Sequence, residues 1–159
     1  MVLYKFNDFC MATILLVGFL GAVISAIVGT LWYSGSTPMG RWHMQHLGFD
    51  KLSKDQKEKL MREAKPKMWK SYLAQTVLSF VTSFFIAFVT SYTVQNGGPA
   101  NAVYFYVISI WIAFTVPMIG QNILWGESEG SLAWKRFFSD SFSNLISYLI
   151  IALVATLIV

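Results

Sequence analysis

Four long apolar runs, separated by polar segments of very unequal length, set the pattern of this 159-residue chain. They cover about residues 9–33, 68–94, 102–125 and 137–159. Each is long enough, as an α-helix, to cross a hydrocarbon layer roughly 30 Å thick. The pattern predicts an all-α fold: a four-helix transmembrane bundle, one integral membrane domain over residues 1–159. The first run reads as a permanent helix and not as a cleaved signal peptide. Its upstream flank sets Lys5 against Asp8, and the strong positive flank lies downstream. The last run reaches Val159 and predicts no soluble tail.

Small residues recur inside the runs at helical spacing. Gly21, Ser25 and Gly29 fall every fourth residue in the first. Ser71, Gln75, Ser79, Ser83, Ala87 and Ser91 do so in the second. Such rows let helix backbones approach closely, so Gly21, Ser25, Gly29, Ser79, Ser83 and Ala87 are the expected packing residues. Phe80, Phe84, Phe85 and Phe88 lie largely off the second row and are expected to meet lipid or a groove. The third run carries Ser109, Ala113, Pro117 and Gln121 at the same spacing. Pro117 should kink that helix and free the carbonyl of Ala113. The fourth run begins polar, with Ser139, Asp140, Ser141, Ser143, Asn144 and Ser147, and ends wholly apolar.

Gly35 and Pro38 stop the first helix, and Gln95-Asn96-Gly97-Gly98-Pro99 is a short turn. In the long polar segment, residues 34–67, Ser53 and Gln56 form a capping box for a helix to about Lys65, with Pro66 at its end or at the next start. Asp55/Lys59, Glu58/Arg62 and Glu63/Lys67 are acid-first pairs four residues apart. Leu52, Leu60, Met61 and Ala64 give this helix a thin apolar stripe. It either lies on anionic lipid or stands solvated. Residues 127–136 read as a second, shorter loop.

Composition supports the membrane reading: 55% of residues are hydrophobic and 13% charged, where soluble domains carry about 25%. The net charge of +4 is concentrated. Arg41, Lys51, Lys54, Lys57, Lys59, Arg62, Lys65, Lys67 and Lys70 sit in or beside one loop. That clustering argues against nucleic acid as a partner and for a topogenic role. Both charged loops are therefore expected in the cytoplasm and both termini outside, in a plasma or inner membrane. The interfacial rings agree: Trp32, Tyr33, Trp42, Trp69, Trp125 and Trp134 flank the proposed inner face, and only Trp111 lies within a span. Cys10, the one cysteine, excludes an intrachain disulfide and a cysteine metal cluster.

A set of short motifs is familiar. Leu31-Trp32-Tyr33-Ser34 follows a Gly-rich helix, Gly40-Arg41-Trp42 lies in the loop, and Lys70-Ser71-Tyr72 opens the second run. Asn122 with Glu127-Ser128-Glu129-Gly130 closes the third, and Asp140 comes early in the fourth. On these the chain resembles the domain-of-unknown-function family seventeen-sixty-one, over nearly its whole length. It departs in the spacing before Trp42 and in Phe142-Ser143 after the acid. The resemblance implies a four-span fold and brings no established activity.

Candidate chemistry centres on Asp140, the one carboxylate expected inside a span, with Arg136 and Asn144 one turn to either side. It either caps its helix and pairs with Arg136, or joins Asn144, Gln121 and Asn122 in a polar cluster lining a cavity. His43 and His46 are weak metal candidates for lack of further ligands, so no metal and no cofactor is expected. No phosphate loop or nucleophile set is legible, and the chain is not expected to be an enzyme. Two functions remain. One is a small transporter or channel-like subunit acting as an oligomer. The other is a structural or accessory protein binding lipid or a membrane partner through small-residue helix faces. The expected partners are membrane lipid, anionic lipid included, and a further copy of the chain or another membrane protein.

Overall fold

The computed structural model describes residues 8–124 and 130–158, and these are helical apart from short connections. The order is α1 (Asp8–Trp32), α2 (Pro38–His46), a 3-10 turn (Phe49–Lys51), α3 (Lys54–Gln95), α4 (Ala102–Ile110), a π turn (Trp111–Thr115), α5 (Val116–Leu124) and α6 (Gly130–Ile158). Four stretches are long and apolar enough to cross a membrane: Met11–Trp32, Met68–Gln95, Ala102–Ile123 and Gly130–Ile158. The expected all-α four-helix bundle is what the chain forms.

The helix α6 is the axis of the bundle and touches every other helix. Its buried residues explain why: Ser139, Ser143, Ser147, Ile151 and Ala155 fall every fourth position and form one continuous seam. Ile14 and Val17 of α1, Ile86 and Ala87 of α3, and Val103 and Val107 of α4 close the apolar core around Ile151, Ala152 and Ala155.

The small-residue rows of α1 and α3 meet along only part of their length. At Gly21 a Cβ would run into the side chain of Ser83, so the backbones touch there because neither position carries bulk. Ser79, Ser83, Ala87 and Ser91 are buried, but Ser71 and Gln75 are exposed, and a Cβ on Gly29 would meet nothing. The helices thus cross at Gly21 and Ser83 and splay towards the end of α1. Phe80 packs into the notch at Gly18, and Phe85 is exposed, matching the groove and lipid roles expected for this group. The row Ser109, Ala113, Pro117 and Gln121 lies on the exposed side of the third span.

Three sequence expectations need correction. The helix begun by Ser53 does not end near Pro66: α3 runs unbroken for 42 residues, about 63 Å at helical rise. The capping box is present, with the Ser53 N–H donating to Gln56 Oε1 at 2.9 Å and the Gln56 N–H to Ser53 Oγ at 3.3 Å. Pro66 is tolerated because residues 58–66 are exposed, so the carbonyl that its ring leaves without a donor can find water. The segment expected as a loop at 127–136 is already helix from Gly130, which brings Arg136 into α6 one turn before Asp140. Finally, the third span widens instead of simply kinking. The Val116 N–H bonds the carbonyl of Trp111, five residues back, immediately before Pro117.

The loop after α1 also holds α2, which the apolar pattern missed. Thr37 caps it, accepting from the Gly40 N–H at 3.0 Å, with Pro38 in the first turn. Gly40 is needed for contact: a Cβ there would run into the carbonyl of Ser34. On the far side, Gly97 takes a φ of 74° in the turn after α3, a conformation natural to glycine.

Candidate functional site

The end of α1, the short α2 and the first turns of α6 converge in a polar cluster. The Trp32 indole donates to Ser139 Oγ at 3.0 Å. One residue on, the Tyr33 hydroxyl donates to Asp140 Oδ1 at 2.6 Å. Trp32, the last residue of α1, and Tyr33 just beyond it thus grip two consecutive residues of α6. The other carboxylate oxygen, Asp140 Oδ2, lies 3.6 Å from Arg136 Nε. That is ion-pair range but too long for a hydrogen bond, which is why this buried Nε has no hydrogen-bond acceptor. Asn144 donates to the Asp140 backbone carbonyl at 2.8 Å and so caps the group from within α6.

Arg136 joins α2 as well. Its Nη1 lies 2.7 Å from His46 Nε2. A guanidinium only donates, so this contact draws on the Nε2 lone pair. His43 stacks obliquely on Tyr33, ring centroids 5.1 Å apart. Burial, and then the positive charge of Arg136, hold the His43 pKa below its usual value against the opposing pull of Asp140. The Lys135 ammonium sits over the Trp42 ring at 5.8 Å. Deeper in, the Trp111 indole donates to the carbonyl of Ser141 at 2.8 Å, fixing the π turn against α6.

Of the residues singled out in the sequence, Asp140, Arg136 and Asn144 are brought together. Gln121 and Asn122 are exposed on α5 and bond neither Asp140 nor Asn144. His46 gives the lone pair that a metal would need to Arg136, and no group of three or more metal-ligating side chains occurs among the described residues. Trp69 and Trp134 are exposed and Trp42 is half-buried, whereas Trp125 lies outside the described residues. Trp32 and Tyr33, expected as headgroup rings, are cross-helix donors. Their partners are 107 residues away, beyond the reach of any local pattern. The recurrence of Ser139, Ser143 and Ser147 was a readable signal that this face of α6 is a contact seam.

The arrangement is chemically a clasp. Its hydroxyl, carboxylate, guanidinium and imidazole groups pair with one another, Arg136 Nε through the ion pair alone, and tie α1, α2 and α6 at one end of the bundle.

Comparison with known proteins gives one match: the model of a family described as a protein of unknown function (DUF1761) fits residues 16–156. No curated protein matches the chain, and no solved structure does.

Proposed function

Because the chain belongs to the DUF1761 family, which carries no assigned activity, we propose its role from geometry: a structural or accessory membrane protein. Its polar side chains hold the spans together, and its outer faces meet lipid or a membrane partner. The observation that carries this reading is that most polar groups between the helices are consumed locally, with Arg136 Nε and Ser141 Oγ the buried side-chain atoms left without a hydrogen bond among the described residues. Ser83 and Ser147 donate to carbonyls of their own helices at 2.7 and 3.0 Å, and Trp32, Tyr33, Asp140 and Arg136 are engaged in the clasp. A sizeable depression between α1 and α3 is apolar and opens outward. A path for a polar solute needs groups free to replace its hydration. The reading includes no enzymatic step.

A second reading, the transporter or channel-like subunit, draws on one feature: the outward row Ser109, Ala113, Pro117 and Gln121 on the third span. A further copy of the chain could close that row into a path, so this reading requires an oligomer.

Flux through liposomes containing the purified protein separates the two. The accessory reading expects ion and small-solute leakage equal to protein-free vesicles. Flux that disappears on Asp140→Asn or Gln121→Leu, in protein that remains folded, would replace it with the transport reading.

A further inference from the structure

We propose that the outward groove between α1 and α3 binds one anionic phospholipid, an acyl chain lying in the groove and the phosphate meeting Lys70 at its mouth. The proposal goes beyond the accessory role and requires only that the spans sit in a bilayer.

The groove exists because α1 and α3 splay beyond their contact at Gly21 and Ser83. It holds about 530 Å³, within the rough 300–1,000 Å³ range of small-ligand clefts. Ala22 and Ala26 lie between the larger Phe19, Val23 and Leu31 of α1, and Thr76 faces them from α3. From Phe19 to Leu31 the lining extends about 18 Å along the helix, close to the depth of one leaflet in a hydrocarbon layer of ~30 Å. The two hydroxyls in the lining are already used. Thr30 donates to the carbonyl of Ala26 at 2.8 Å, and Thr76 to that of Tyr72 at 2.8 Å. A polar ligand would find no free donor, whereas an acyl chain needs none.

The mouth is basic and aromatic. Trp69 precedes Thr76 by seven residues, two helical turns, and so lies on the same face of α3. The Lys70 ammonium is drawn towards that face, 5.9 Å from the Trp69 ring centroid. Lys65 and Arg62 fall near the same face one and two turns further out, both exposed. An amphipathic ring and an ammonium at the end of an apolar groove match the ester and phosphate levels of a lipid. Charge also argues against a second copy as occupant. A two-fold pair meeting through this groove would set each basic mouth against its own duplicate.

Native mass spectrometry of the whole chain in mild detergent, with added phosphatidylglycerol or phosphatidylcholine of matched chains, tests the site. One phosphatidylglycerol per chain should remain bound under conditions that strip phosphatidylcholine. Ala26→Phe, at an exposed position, should fill the groove and remove that adduct, with lipid-free thermal unfolding reporting that the variant is folded. Lys70→Gln should weaken phosphatidylglycerol binding about fivefold, the factor expected for one basic side chain at an anionic surface, and leave phosphatidylcholine unchanged. Equal retention of both lipids, or an adduct that survives Ala26→Phe, would overturn the proposal. So would a dimer of the parent that Ala26→Phe dissociates, since the groove would then belong to a second copy.

Discussion

Asp140 carries the strongest local claim. An intramembrane carboxylate is costly unless partnered, and here each oxygen has a partner from a different direction. Asp140→Asn keeps the shape but turns a charge-assisted bond into a neutral one and removes the ion pair. Thermal unfolding in detergent should show a loss of about 1–2 kcal/mol. An unchanged unfolding temperature would mean that the carboxylate is not a structural partner. His43 makes a pH prediction. Its folded-state pKa lies below the ordinary 6.5, so the unfolded chain takes up the proton first as pH falls. Stability contributed by neutral His43 is complete above that value and is lost as pH drops through it towards the folded-state pKa. The groups facing it are Tyr33, Arg136, His46 and Asp140. His43→Gln should flatten the unfolding temperature between neutral and mildly acid pH. At this scale the sequence made Asp140 legible, because a carboxylate stands out in an apolar run. Tyr33 was not legible as its partner, since a tyrosine at a membrane exit reads equally well as a headgroup ring.

Among the helices, the small-residue rows were legible and their extent was not. Gly21 and Gly29 are equivalent by spacing, yet one touches Ser83 and the other faces open space. Spacing fixes which side of a helix a residue occupies, whereas the crossing angle decides how far contact continues. Gly21→Leu and Ser83→Leu should therefore destabilise the bundle by about 1–3 kcal/mol or prevent its folding, as overpacking of a close contact does. Gly29→Leu should be nearly silent. Equal effects at positions 21 and 29, read as unfolding temperature, would place the seam elsewhere. Gly40 belongs to the same argument. Gly40→Ala would push α2 off the end of α1 and carry His43 and His46 away from the clasp. The length of α3 was hidden by Pro66, a helix breaker by composition, which exposure makes tolerable.

For the whole molecule, the number of spans followed directly from the apolar runs, because a bilayer forces backbone polar groups into helices. For sidedness we propose a reading of the same charge distribution. Lys59 is expected in the cytoplasm and Gly98 outside, since positive segments resist translocation. Impermeant labelling of single cysteines placed there, after replacing Cys10, should react at position 98 alone in intact cells. Labelling at 59 alone would invert the orientation. What the sequence could not yield is how the polar residues are used, because a clasp and a conduit draw on the same side chains. Three-dimensional pairing separates them, and here Tyr33 meets Asp140 and Trp32 meets Ser139 across the bundle. The most direct test is a double-mutant cycle of Tyr33→Phe and Asp140→Ala, read by equilibrium unfolding in detergent. A clasp predicts a coupling of about 1 kcal/mol or more, the double variant losing less than the sum of the singles. Additivity to within about 0.3 kcal/mol would contradict it, because independent sites add and clasped ones do not.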